Sequence, residues 1–257
     1  MFCKPAGAVA QTDREYRLSA GEEGWRSALE EYTARTMTND CDSINAFLGI
    51  QNHIERCLAD PADDGSFVWG LPLRQFPQSL RWYHKSKARP RRREGFPSWS
   101  WAGWEGAVTF SGSLDLMRES RQLRYAHRRN TGVDMVARFQ GVEGRVLRLQ
   151  AWVVELEIRA EPFTDAYIPS TDMLLGAIKE GSFSSSTTLP AGVYKFLVVE
   201  RMRYQPAEGR PFREEVYMLM LDWKDGVATR RTKARLFMEF GLQLEQAKPE
   251  LMEVKIE

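Results

Sequence analysis

From residue 145 the chain alternates. Leu147, Leu149, Ala151 and Val153 share one parity, while Val154, Leu156 and Ile158 share the other. A period of two places successive side chains on opposite faces of a β-strand. The change of phase near Trp152–Val154 therefore calls for a β-bulge, or for a strand that passes from one packing environment into another. Further strands follow. "VYKFLVVERMRY" (193–204) carries apolar residues on both faces near its middle, as a strand covered on two sides does. "EVYMLMLDWKDGVATRR" (215–231) reads as a hairpin, because Asp225–Gly226 supplies the positive φ angles of a tight type I′ turn. Met252, Val254 and Ile256 alternate as a last strand, and a short helix is expected over 233–246 through Leu236, Phe237, Phe240 and Leu244.

The front of the chain has the other period. Trp25, Ala28, Leu29 and Tyr32 fall at i, i+3, i+4 and i+7, one apolar stripe of a helix. A second helix is expected from Asp42 as N-cap, with Ile44, Phe47, Leu48, Ile54 and Leu58 on its buried face and Asp60–Pro61 as its stop. "FVWGLP" (67–72) is a short extended piece with a turn, and "RQFPQSLRWYH" (74–84) reads as a short helix with Phe76, Leu80 and Tyr83 on one side. A weak helix over 113–129 would put Arg118, Arg121, Arg124 and Arg128 on one face. Helices first and strands last imply an α+β fold, with N-terminal helices packed on a C-terminal, mainly antiparallel β-rich region. The organisation expected is a loose lead-in over 1–23, a helical region with a basic loop over 24–95, and a tryptophan segment with the β-rich region over 96–257, the last two forming one packed unit.

Composition narrows the class. The 257 residues are 43% hydrophobic and 28% charged, ordinary for a globular chain. No apolar run approaches the roughly 20 residues that cross a bilayer. The apolar patch at residues 6–10 is shorter than the ~7–15 of a secretory core. Cys3, Cys41 and Cys57 form no disulfide framework. An intracellular, cytoplasmic protein is expected, with the nucleus as the other compartment open to it. The net charge of +1 hides a gradient: residues 1–64 hold six basic against twelve acidic residues, and residues 81–148 hold fifteen against six. Mutual attraction of two parts of one molecule explains this more simply than an anionic partner.

Between these halves stands "FPSWSWAGWEG" (96–106), with Trp99, Trp101 and Trp104 within six positions. As an extended chain it would turn Trp99 and Trp101 to one face and Ser98 and Ser100 to the other, with Gly103 permitting a kink before Trp104. Each buried indole removes about 150–250 Å² from water. Three contribute on the order of 10 kcal/mol before entropy, so an interior role is favoured over a surface platform.

The same segment resembles the Pro-Ser-Trp-Ser-Trp-Ala signature found downstream of the effector domain in fungal heterokaryon-incompatibility (HET domain) proteins. It is carried here by Pro97, Trp99, Trp101, Gly103 and Trp104. "YTARTMTNDCDSINAFLGI" (32–50) is similar to the family's Tyr-Thr-x-Arg block through Tyr32, Arg35, Asp42, Asn45 and Phe47, with Met37 and Ile44 where leucines are usual. "FVWGLP" resembles its Phe-x-Trp-Gly-Leu-Pro block through Trp69 and Gly70, and the closing hairpin, helix and strand are similar too. The resemblance implies a region lying after the TIR-like effector domain of a protein associated with non-self recognition and programmed cell death. About 23 residues precede the match, so the expectation is a region without that effector domain, non-catalytic and regulatory, whose partner is a HET-type effector or another protein.

Other chemistry is thinly represented. His53 and Cys57, four apart, would form one edge of a metal site, but no third or fourth ligand stands at a recognisable spacing. His84 and His127 sit in basic stretches where a solvated role is expected. There is no nucleophile elbow, phosphate loop or dinucleotide fingerprint. The expectation is no catalytic residue, no metal and no cofactor. The alternative function is a nucleic-acid or ligand-binding module built on the basic loop 85–93, with Arg91, Arg92 and Arg93 beside the tryptophans as contact residues. Short basic runs are usually solvated, so nucleic acid is the disfavoured partner.

Overall fold

Strands dominate the structure, a computed structural model that describes residues 24–37, 39–58, 67–85, 90–110, 129–159, 165–180, 191–205, 213–238 and 244–257. The expected lead-in over 1–23 and the expected helix over 113–129 lie outside these residues, save Arg129, which opens a strand.

Two small antiparallel pairs come early: β1 (Phe67–Val68) with β2 (Leu71–Pro72), and β3 (Trp82–His84) with β4 (Val108–Phe110). Nine strands then form one sheet: β5 (Arg129–Asp134), β6 (Arg138–Glu143), β7 (Val146–Arg159), β8 (Asp165–Tyr167), β9 (Leu174–Glu180), β10 (Gly192–Gln205), β11 (Arg213–Lys224), β12 (Val227–Met238) and β13 (Glu250–Ile256). Pairing runs β7–β8–β9–β12–β11–β10, and β10 returns to β7 through Val154↔Phe196 and its neighbours. Six strands thus close into a ring, which removes the edges that an open sheet exposes. The pairs are antiparallel except for one parallel contact, Ala228↔Ile256, between β12 and β13.

This ring explains the phase change in β7. Val154, Leu156 and Ile158 belong to one apolar cluster, to which all six ring strands contribute: Ala166, Leu175, Ile178, Phe196, Val198, Met218, Leu236 and others. Leu147, Leu149, Ala151 and Val153 belong to the second cluster, with Leu197, Val199, Tyr217, Leu219, Val254 and Ile256. Odd-numbered residues face outward along the whole strand and even-numbered residues inward. Only the covering changes, at the point where β7 trades β13 for β10 and β8 as neighbours. Of the two causes expected, the change of packing environment holds. β10 and β11 alternate between the same clusters, which is why both read as apolar on two faces. The hairpin turn is as expected, with Asp225 at φ 51° and Gly226 at φ 79°.

The outer cluster also contains Trp25, Leu29, Tyr32, Phe47, Trp82, Trp99 and Trp101. Helix α1 (24–33) buries Trp25, Leu29 and Tyr32. The expected single helix from Asp42 is two: α2 (Asp42–Asn45) and α3 (Leu48–Leu58), with a turn at 46–47. Cys41, not Asp42, holds the N-cap position and makes no side-chain cap. The break lets Phe47 drop into the core while Leu48, expected to be buried, is 39% exposed.

Three other expectations are corrected. Residues 74–84 form 3₁₀ turns (Leu73–Gln75, Gln78–Arg81) and then β3, because Pro77 donates no backbone hydrogen bond and Trp82–His84 find partners on β4. The expected helix at 233–246 yields to β12, which pairs with β11 on one side and β9 on the other out to Met238; among the described residues of that stretch only Leu244–Ala247 turn helically, as 3₁₀. Two ladders of neighbours outweigh the local helical spacing. The tryptophan segment is not extended: Trp101–Gly103 form a 3₁₀ turn capped by the Ser100 hydroxyl.

Candidate functional site

The 3₁₀ turn decides where the indoles go. With the chain folded back at 101–103, Ser98, Trp99, Ser100, Trp101 and Ala102 are all fully buried, and Trp104 is half-buried. A buried indole N–H needs an acceptor, and each finds a backbone carbonyl from another part of the chain or of the turn. Trp99 Nε1 donates to Arg145 O at 2.9 Å, Trp101 Nε1 to Gly70 O at 3.0 Å, and Trp104 Nε1 to Ser98 O at 2.8 Å. Trp69 Nε1 donates to Gly144 O at 2.8 Å and Trp82 Nε1 to Trp99 O at 3.1 Å. The serines close the same knot. Ser100 Oγ donates to Trp69 O at 2.6 Å, Ser98 Oγ donates to Glu257 O, and Ser98 Oγ accepts from Arg230 N at 2.9 Å.

The Trp101 ring is the meeting point. Tyr32 and Phe47 meet it edge-on, with centroids at 5.8 and 5.3 Å, and lie 5.2 Å from each other. Tyr32 donates its hydroxyl to Ser43 O at 2.9 Å, and Ser43 Oγ donates to Ala102 O at 3.1 Å. Burial pushes the Tyr32 phenol up, keeping it protonated as this bond requires. Two glycines give the space. Gly70 has φ +78°, and a Cβ there would lie 2.6 Å from the Trp101 ring; a Cβ on Gly103 would overlap Arg92 and the Pro97 carbonyl.

Cations finish the arrangement. Arg93, 4% exposed, donates to Asp40 Oδ1 at 3.2 Å and to the carbonyls of Ala102 and Trp104. Arg92 donates to Gly103 O and to Phe96 O at 2.8 Å and lies 4.8 Å from the Trp104 ring centroid. Arg91 is exposed and pairs with Asp40 at 2.8 Å and Glu105 at 2.7 Å. Its hydrogen bond to Asp40 holds that carboxyl below the usual range. All three guanidinia bond or pair within their own chain. The charge gradient has the same use: basic Arg91, Arg93 and Lys85 meet acidic Asp40 and Glu30 of the front. His84, expected to be solvated, is half-buried beside the Trp82 and Trp104 rings. Burial, with Arg230 and Arg93 nearby, lowers its pKa to about 4.

Of the residues singled out in the sequence, Tyr32, Phe47, Trp69, Gly70, Pro97, Trp99, Trp101, Gly103 and Trp104 come together here. Arg35, Asp42 and Asn45 are exposed. His53 is exposed as well, and the Cys57 side chain lies outside the described ones. Sequence reading missed Arg230, which is 2% exposed, donates to Leu80 O and Trp82 O, and stacks 3.7 Å from the Trp82 centroid. Its only signal was a basic residue on the apolar side of a strand. It also missed the buried Arg81–Glu200 pair that ties the Gln78–Arg81 turn to β10, with Gln78 donating to the same carboxylate at 2.8 Å. Chemically, the indole N–H groups of Trp69, Trp82, Trp99, Trp101 and Trp104 and the Ser98, Ser100, Arg92 and Arg93 donors are matched to acceptors of the same chain, while the buried His84 Nε2 has no hydrogen-bond partner among the described residues, a set suited to holding parts in register. Among the described residues no group of three or more His, Cys, Asp or Glu could hold a metal ion, and no helix is long and apolar enough to cross a membrane. No family model, curated protein or solved structure matches the chain.

Proposed function

We propose that the chain is a non-catalytic regulatory or interaction region of a HET-type protein associated with fungal non-self recognition and programmed cell death. The ordered likeness of its blocks to that family motivates the reading. One observation supports it: three blocks, 32–50, 67–72 and 97–108, far apart in sequence, supply the Tyr32, Phe47 and Gly70 contacts to Trp101. Residues whose hydrogen-bonding groups are consumed in joining the chain's own parts serve to present surfaces in a fixed relation, not to turn over a substrate. In this reading the N-terminal helices ride on the tryptophan segment and, through it, on the β-ring, and the partner is a HET-type effector or another protein inside the cell.

The test is co-expression with a full-length HET-type protein. Physical association and an altered death phenotype are expected. Absence of both removes the reading.

A further inference from the structure

Beside the junction lies a hollow of about 460 Å³, lined by Arg92, Gly95, Phe96, Arg145, Thr229 and Glu257, with Glu94 also on its wall. It joins the lead-in to the tryptophan turn, the β6–β7 turn, β12 and the residue after β13. Two arginines line it. Arg92 is fixed from behind by the Gly103 and Phe96 carbonyls and by Trp104. Arg145, 46% exposed, donates Nη2 to Glu257 Oε1 at 2.5 Å. Burial lowers the Arg92 pKa, the charge of Arg145 lowers it further, and that of Glu257 offsets part of this. Arg92, Arg145 and Glu257 thus carry their charges around one hollow.

Two cations lining one hollow favour an anion beside them. Glu257 shows the chemistry that answers: a carboxylate bonded to the Arg145 Nη2. It is lightly held, since its side chain is 45% exposed and Arg145 is its one side-chain partner among the described residues. Arg145 keeps further N–H donors, the exposed Thr229 hydroxyl is nearby, and Phe96 gives an apolar wall for methylene groups. A Cβ on Gly95 would meet nothing within 4 Å, so the hollow has room there.

We infer that this hollow is a carboxylate-binding site, filled in the resting protein by its own Glu257 side chain, and that an external carboxylate displaces Glu257 from Arg145. The inference stands on the hollow alone and is independent of the function proposed above. The ligand carboxylate has two sources, a free dicarboxylate or an acidic side chain of another protein.

The experiment is an amide NMR titration of the full chain at low ionic strength with glutarate, a blocked tri-glutamate peptide and inorganic phosphate. Saturable shifts at Gly95, Phe96 and Thr229 are expected with the two carboxylates. Glu257→Gln removes the internal competitor; an exposed pair of this kind corresponds to about two- to fivefold tighter binding. Arg145→Met, which replaces an exposed side chain and leaves the carbonyl that accepts from Trp99, is expected to fold normally and abolish the shifts. Tighter binding of the peptide than of glutarate assigns the source as an acidic protein segment, and the reverse assigns a free dicarboxylate. No saturable shift with either carboxylate, shifts with phosphate alone, or shifts that survive Arg145→Met in a folded protein overturn the inference.

Discussion

Gly103→Ala isolates the packing of the tryptophan turn with a single methyl group. The added Cβ would lie closer than 3.0 Å to both Arg92 Nη1 and the Pro97 carbonyl oxygen. Arg92 can swing away, but it then gives up its bond to Gly103 O. The Pro97 carbonyl is backbone in a buried segment and cannot move without carrying Ser98 and Trp99 with it. Overpacking of this kind costs about 1–3 kcal/mol, and a lost charged hydrogen bond costs about 1.5–3 kcal/mol. Alanine returns about 0.4–1 kcal/mol by restricting the unfolded chain. The balance is a loss of roughly 2–5 kcal/mol, or a midpoint lowered by at least about 5 °C in a chain of this size. Urea unfolding followed by tryptophan fluorescence and far-UV circular dichroism measures it. Gly49→Ala is the control: it lies in α3, a Cβ there meets nothing within 4 Å, and alanine should stabilise the helix by about 0.5–1 kcal/mol. If Gly103→Ala matches the parent to within the error of the fit, the close packing described for this turn is refuted.

Further outcomes follow from the same geometry. Trp101→Ala should cost about 3–5 kcal/mol in chemical denaturation, and should also shift the Tyr32 and Phe47 ring resonances that now stack on it. Arg93→Ala should lower the unfolding midpoint clearly, because it takes the Arg93 donor from the Trp104 carbonyl and leaves the Ala102 carbonyl with Ser43 alone, whereas the neighbouring Arg91→Ala, at an exposed pair, should leave it nearly unchanged. The pH dependence carries a histidine signature. His84 is held at about 4 in the folded chain against about 6.5 unfolded, so the unfolded state binds the extra proton between these values. Its contribution is therefore fully present above pH ~6.5, falls away as pH drops toward 4, and amounts to about 3 kcal/mol. Subtracting the stability curve of His84→Gln from that of the parent over pH 8–4 should show this slope, and a flat difference would contradict it.

Much of the local structure could be read from residue order. The period of two along β7, the two-faced apolar character of β10, and the Asp225–Gly226 turn each follow from side-chain alternation and backbone sterics, which act over a few residues. So does α1, whose stripe of Trp25, Leu29 and Tyr32 is buried as spaced. Errors came where neighbours distant in sequence outvoted the local pattern. Leu236 and Phe237 have helical spacing, yet β9 and β11 flank them on both sides.

The sequence by itself determined which residues must leave water: the tryptophans, the alternating strands, the helical stripe. Transfer of apolar surface depends on residue type, and type is written in the chain. Only the tertiary structure decided what those residues meet. That Arg230 donates to the Leu80 and Trp82 carbonyls, and that Arg145 and Glu257 face one hollow, both depend on the fold bringing carbonyls and charges together across more than a hundred positions. Hydrogen bonds and ion pairs act over a few ångströms and in particular directions, so no spacing within one segment could have announced them.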